Sequence, residues 1–200
     1  SAMAVALLAV LLLPAGAYLG YQEWGAMDRV EQFITMQEMG ASSNDDQTAR
    51  MSALADQLRD RLEQDPENAD GWAMLGQTYM RTERYEDAAE AFQRLAGITE
   101  EEPSASSVAW GLSAQALYFQ SEGQMTSGVM AAIESARTLD PNEVNSLGLL
   151  GINAFSQQNY REAIEYWETI VEVTPDHPQI ASIRGGIAEA YNRLGETPPA

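Results

Sequence analysis

Apolar side chains recur at i, i+3, i+4 and i+7 in successive segments, each several helical turns long, between Pro66 and Pro175; this is the spacing that gives a helix one buried face. Pro66, Pro103, Pro141 and Pro175 stand at nearly equal intervals, and two such segments lie between each consecutive pair of prolines. Proline lacks an amide donor and pushes the residue before it out of the α region, so a helix is expected to stop ahead of each one. The pattern predicts tandem helix-turn-helix units.

The units echo one another in detail. Between "GWAMLGQTYMRTERYEDAAEAF", Gly71 to Phe92, and "SLGLLGINAFSQQNYREAIEYW", Ser146 to Trp167, the pairs Leu75/Leu150, Gly76/Gly151, Tyr85/Tyr160, Ala88/Ala163 and Phe92/Trp167 all share a single offset. A middle copy, "WGLSAQALYF", places Trp110 midway between Trp72 and Leu147 and puts Ala114 at the small position of Gly76 and Gly151. Its turn, "SEGQMTSG", is longer than the others. The small residues Gly76, Ala88, Gly151 and Ala163 are expected to let the helices of a pair approach closely, with Trp72, Tyr79, Phe92 and Trp167 filling the space around them.

Trp72, Leu75, Gly76, Tyr79, Ala88 and Phe92 in the first copy, and Leu147, Leu150, Gly151, Ala163, Trp167 and Pro175 in the third, resemble the tetratricopeptide repeat. The fold expected is all-α, a solenoid of about three helix pairs. A helix of about Thr48 to Gln64, with Met51, Leu54, Leu58 and Leu62 on one stripe, is expected to cover the first repeat. "PQIASIRGGIAEAYNRLG" is expected to cover the third, because terminal units of a solenoid need capping, and "ETPPA" reads as a frayed tail.

Ahead of the repeats, positions 1–22 carry no charged side chain. "AVALLAVLLLPAGAYLGY" has about the length that crosses a bilayer at roughly 1.5 Å per residue. A membrane anchor, a signal peptide ending near Ala15-Gly16-Ala17 and a soluble core helix are all open to it. Glu23, Asp28 and Glu31 follow with Arg29 alone among them, which places the repeats outside the cytoplasm if the segment spans a membrane. Val30, Phe33 and Ile34 suggest a short amphipathic helix, and "GASSNDDQT" reads as a polar linker. The expected organisation is a hydrophobic segment at 1–22, a juxtamembrane helix and linker at 23–47, and the repeat domain at 48–196.

Charge narrows the partners. Eleven basic residues, all arginine, against 30 acidic ones give a formal net charge of −19. That surface repels phosphate backbones, so nucleic acid is disfavoured as a partner and a basic or apolar protein favoured. No cysteine is present, which excludes thiol catalysis, covalent haem attachment and a disulfide within the chain. His177, the sole histidine, lies between two prolines in "TPDHPQ" and is expected to be a solvent-exposed loop residue. The acids of "TEEEPS" are consecutive and are expected to form a solvated turn, not a cation site. No catalytic constellation or phosphate loop can be assembled, so the expectation is a non-enzyme without cofactor or metal.

What remains is a surface. In tetratricopeptide arrays the first helix of each pair lines a concave groove. The resemblance implies a groove set of Gln77, Met80 and Arg81 from the first repeat, Gln115, Tyr118 and Phe119 from the middle one, and Ile152, Phe155 and Ser156 from the third. Such an apolar trough suits the greasy face of an amphipathic helix. The competing reading is that Tyr118, Phe119 and Phe155 pack between repeats.

The order of hydrophobic segment, acidic linker, "LRDRLEQDPENADGWAMLGQTYMRTERYEDAAEAF" and "LDPNEVNSLGLLGINAFSQQNYREAIEYWETIVEVTP" resembles the cytochrome c biogenesis family of CcmI, CycH and NrfG over about Leu58 to Pro178. The resemblance implies a chaperone anchored in the bacterial inner membrane with its repeats in the periplasm. It further implies binding of the C-terminal helix of apocytochrome c and presentation of that protein to the haem-ligation complex. The absence of thiols suits a holder of a Cys-x-x-Cys-His segment, since no mixed disulfide can form. The alternative is a generic envelope scaffold whose groove binds another protein.

Overall fold

The computed structural model describes residues 44–198; the hydrophobic segment at 1–22 and the juxtamembrane stretch lie outside the described residues. Eight helices follow in order: α1 (Asn44–Leu62), α2 (Ala69–Arg81), α3 (Tyr85–Ile98), α4 (Pro103–Gln120), α5 (Ser127–Leu139), α6 (Val144–Ser156), α7 (Tyr160–Val173) and α8 (Ile180–Leu194). The pairs α2/α3, α4/α5 and α6/α7 are the three repeats, between the terminal helices α1 and α8. Among the described residues there is no strand, and no helix is long and apolar enough to cross a membrane.

Small residues set the approach within the outer pairs. A side-chain carbon at Gly76 would lie 2.5 Å from Phe92 Cε1, and one at Gly151 would collide with the indole of Trp167. Ala88 and Ala163, at the matching place on the second helices, are fully buried. The glycines thus clear the space that the large rings of α3 and α7 occupy.

The core divides in two, and α4 is the shared wall. Ala109, Leu112 and Ala116 pack into the cluster of α1, α2 and α3, while Ala114 joins that of α5 to α8. With α3, α5 and α6 all packed on it, α4 has little polar surface to present, and it carries no charged residue. Its buried hydroxyls are satisfied across the interfaces: Ser106 Oγ donates to the Ala96 carbonyl at 3.0 Å, and Ser107 Oγ to that of Ala136 at 2.9 Å.

The middle repeat departs from the outer two at both ends of its first helix. Pro103 does not stand ahead of α4 but opens it, a position where proline's missing N–H is unused by the helix. The connection from α4 to α5, positions 121–126, is twice as long as the 82–84 and 157–159 connections of the other pairs. Polar residues 44–47, read from sequence as linker, belong to α1. The larger correction concerns His177, which is 4 % exposed. It sits in a turn closed by its own N–H on the Thr174 carbonyl at 3.0 Å, and its Nδ1 accepts from the Gln179 N–H.

Candidate functional site

The first helix of each repeat presents three sequence-predicted positions, and the structure sorts them by depth. Gln115 is 2 % exposed and Ile152 5 %, so the level they share with half-buried Gln77 is a floor. Met80, Tyr118 and Phe155, one turn further on, are half-buried. At the last position Arg81 and Ser156 are exposed and Phe119 is half-buried. The accessible apolar surface therefore lies at the C-terminal ends of α2, α4 and α6.

Aromatic packing holds these side chains in place. Phe119 stacks on Tyr85, the first residue of α3, with centroids 5.4 Å apart, and meets Tyr118 edge-on at 6.3 Å. Phe155 packs edge-on against Tyr160 at 5.1 Å and lies tilted against Trp167 at 5.8 Å. Tyr118, Phe119 and Phe155 are each partly covered by packing and partly accessible, so the packing and surface readings both describe them. Tyr85 and Tyr160 are the residues that sequence reasoning left out of the site. Their signal was present in the echo between the outer repeats, but nothing in the pattern said that they support the exposed rings.

The turns that end these helices repeat one geometry. At α2, the Arg84 N–H reaches back to the Tyr79 carbonyl at 2.9 Å and that of Glu83 to Met80 at 3.2 Å. At α6, Asn159 bonds Ala154 at 2.8 Å and Gln158 bonds Phe155 at 3.0 Å; at α4, Gly123 bonds Tyr118 at 2.9 Å and Glu122 bonds Phe119 at 3.0 Å. This nested pair is a Schellman closure, and its inner residue adopts the left-handed conformation. Glu83, Glu122 and Gln158 do so with φ of 58°, 52° and 64°. The second helix is thereby turned back beside the first, so that Tyr160 at the head of α7 meets Phe155 and Tyr85 at the head of α3 meets Phe119 of the next repeat.

Electrostatics separate the surface from its surroundings. Neither α4 nor α6 contains a charged residue, whereas α3 carries Glu86, Asp87 and Glu90 against Arg94, and α7 carries Glu162, Glu165, Glu168 and Glu172 against Arg161. Burial pushes the Tyr118 hydroxyl above its ordinary pKa, so it is a neutral donor at physiological pH. At the other end of α6, Glu143 is buried and accepts from Asn145 N and Ser146 N at 3.0 and 2.7 Å, and from their side chains at 2.8 and 2.6 Å. Its carboxylate lies where a side chain at Gly111 of α4 would be, which fixes α6 against α4. Burial raises its pKa and these hydrogen bonds oppose that rise. Glu100, Glu101 and Glu102 are exposed, and the described residues contain no group of three His, Cys, Asp or Glu arranged to hold a metal ion.

Comparison with known proteins matches this architecture to one family. Residues 22–180 fit the family described as "Cytochrome c-type biogenesis protein H TPR domain". The chain is 41 % identical over 201 aligned residues to the cytochrome c-type biogenesis protein CycH of Pseudomonas aeruginosa, covering 98 % of this chain and 46 % of that protein. It is 29 % identical to the formate-dependent nitrite reductase complex subunit NrfG of Escherichia coli O157:H7, over 82 % of this chain and 79 % of NrfG. With the cytochrome c-type biogenesis protein CcmH of Escherichia coli K12 the identity is 28 %, over 72 % of this chain and 40 % of CcmH. The chain thus spans less than half the length of CycH and CcmH. With its three helix pairs and a match over most of its length, it belongs to the tetratricopeptide-repeat family of cytochrome c-type biogenesis proteins.

Proposed function

We propose that this chain is a non-catalytic holder in cytochrome c maturation, binding the C-terminal helix of apocytochrome c and presenting that protein for haem ligation. It would act at the outer face of the bacterial inner membrane, anchored by residues 1–22. The observation that carries the reading is the apolar surface of Met80, Tyr118, Phe119 and Phe155, set on helices of which two are free of charge. Family membership supplies the context. Thioether and aromatic side chains held by their neighbours give an amphipathic helix a deformable, water-excluding seat at little entropic cost.

Such a seat would discriminate apo from holo cytochrome without touching haem. The apolar face of the C-terminal helix is available while the cytochrome is unfolded. Once haem is bound, that face is buried in the cytochrome's own core. Release follows from the ligand's folding.

The test is a titration of the chain with apocytochrome, holocytochrome and an isolated C-terminal peptide. Binding of the apo form and the peptide, with the holo form weaker by about tenfold or more, is expected. Equal affinity for apo and holo forms, or no binding of the peptide, would sink the reading and leave a generic scaffold. Two variants separate surface from core. Phe155→Ala is expected to weaken peptide binding about tenfold, a truncation of roughly 1–2 kcal/mol, with most helical signal retained. Gly151→Leu places its side chain in the Trp167 ring and is expected to cost at least about 1–3 kcal/mol of stability.

A further inference from the structure

The same turn leads into three helices of the array, and it is built with three different chemistries. Asn68, Glu143 and His177 each stand at the second position after a proline. Each donates its backbone N–H to the carbonyl three positions back, at Asp65, Asp140 and Thr174, over 3.3, 3.1 and 3.0 Å. Each then swings its side chain forward to accept an N–H ahead of it. Asn68 Oδ1 accepts from Gly71 at 2.8 Å and the Glu143 carboxylate from Asn145 and Ser146, while His177 Nδ1 accepts from Gln179 at 3.1 Å. These turns open α2, α6 and α8.

Only one of the three acceptors changes sign as the solution turns mildly acidic. An amide does not titrate, and a carboxylic acid keeps acceptor capacity when protonated, but a protonated imidazole is a donor at both nitrogens. With Nδ1 accepting, the neutral His177 ring carries its hydrogen on Nε2, which is buried and has no hydrogen-bond partner among the described residues. A proton added at Nδ1 would face the Gln179 N–H, donor against donor, and leave a buried cation with neither nitrogen paired.

We propose that His177 is an acid-sensitive latch, whose protonation breaks the Gln179 N–H···Nδ1 bond and releases α8 from the third repeat. The charges on the surrounding elements do not relieve the cation. α6 has none; the last two turns of α7 carry Glu168 and Glu172, the connection Asp176, and the start of α8 Arg184. Glu168 accepts from the Tyr191 hydroxyl at 3.3 Å, and Glu172, Asp176 and Arg184 are exposed. Burial holds the imidazole below its ordinary pKa of 6.5. The released state takes up a proton as pH falls below about 6.5 and the docked state only at lower pH, so docking is strongest above that value and weakens as pH drops.

The helix held by this latch is also tied to α7 by the Tyr191–Glu168 hydrogen bond and, just past its end, by the Arg161–Glu196 ion pair. Ile183, Ile187 and Ala190 are its buried residues, and adjacent glycines, Gly185 and Gly186, lower its intrinsic helicity. Gly186 lies against Trp167, where a side-chain carbon would come within 3.1 Å of Cζ3. Trp167 also supports Phe155, so release of α8 would uncover the ring behind the candidate surface. The latch itself does not depend on what that surface binds.

A single histidine in the chain makes the test unambiguous. The imidazole is titrated by NMR while hydrogen exchange is followed in α8, with α2, whose turn is closed by the non-titrating Asn68, as internal reference. The ring is expected to titrate below its ordinary value. Exchange in α8, corrected for intrinsic rate, should rise severalfold, up to about tenfold, between roughly pH 7.5 and pH 5.5 while α2 changes far less. His177→Asn, which copies Asn68, should keep α8 docked at the upper pH and remove the step. A step of the same size in His177→Asn would overturn the proposal. So would an imidazole titrating at or above its ordinary value with α8 protection unchanged. If His177→Asn fails to dock α8 at all, the wild-type titration decides alone.

Discussion

Glu83 and Gln158 occupy the same place in the first and third repeats, and both hold a backbone conformation that a side chain resists. In the left-handed region Cβ crowds the following carbonyl, at a cost of about 1–2 kcal/mol for residues other than glycine. The Schellman bonds of each turn impose it nonetheless. Glu83→Gly and Gln158→Gly are each expected to stabilise the fold by about 0.5–1 kcal/mol, because glycine's extra chain entropy offsets part of the relief. In thermal unfolding that is about 1–4 °C for each, and the two should add, since they lie in different repeats. Residue identity concealed these turns. The repeat spacing located them, but neither Glu nor Gln signals a positive φ. His177 escaped for a related reason: flanking prolines and polar neighbours read as a surface loop, while the turn it shares with Asn68 and Glu143 becomes visible only from backbone hydrogen bonds. Register assigns the groove positions to the first helices, but the burial of Gln115 and Ile152 depends on how closely α4 and α6 pack, which periodicity does not encode.

Among the elements, α1 shows how a helix can be read correctly in position and incompletely in chemistry. Of its stripe of Met51, Leu54, Leu58 and Leu62, Leu62 is buried and Leu58 packs on the cluster of the first repeat, as does Ala55 from outside the stripe, while Met51 and Leu54 are half-buried. The rest of the contact is ionic. Arg84, at the end of the α2–α3 turn, donates to Asp56 at 2.7 Å and Ser52 at 3.0 Å on α1, and to Asp87 at 2.8 Å on α3, with its guanidinium 4.4 Å over the ring of Tyr79. Arg59 of α1 returns the contact to Asp87 and Glu90 at 3.3 and 2.9 Å. Long-range pairs of this kind have no period in sequence, so an amphipathic stripe cannot reveal them. Arg84→Met keeps the stem and removes the fork. It is expected to cost about 1–2 kcal/mol, concentrated in the docking of α1, because Arg84 and Asp87 are only partly exposed and share one network. Limited proteolysis should cut α1 sooner in the variant while α6 and α7 stay protected; equal protection of α1 in both proteins would remove the network from the account of the cap.

On the scale of the whole molecule, the net charge of −19 and the uncharged surface act over different ranges. Acidic side chains line the second helices α3 and α7, while α4 and α6, which carry most of the candidate surface, contribute none. A basic partner would therefore feel the molecule's field during approach and apolar contact once seated. Fields of this kind are screened over about 8 Å at physiological salt, whereas contact between aromatic rings and an apolar face is not. The on-rate of a peptide with basic residues on its polar face is expected to fall at least about fivefold from roughly 50 to 500 mM salt. Its off-rate should change by less than about twofold over the same range. Stopped-flow association and dissociation at several ionic strengths measure both. Phe155→Ala should reverse the pattern, raising the off-rate about tenfold with the salt dependence of the on-rate unchanged. If salt instead accelerates dissociation as strongly as it slows association, the bound partner is held by charge. Its seat would then be sought on the acidic flank of α7, and not at the ends of α2, α4 and α6.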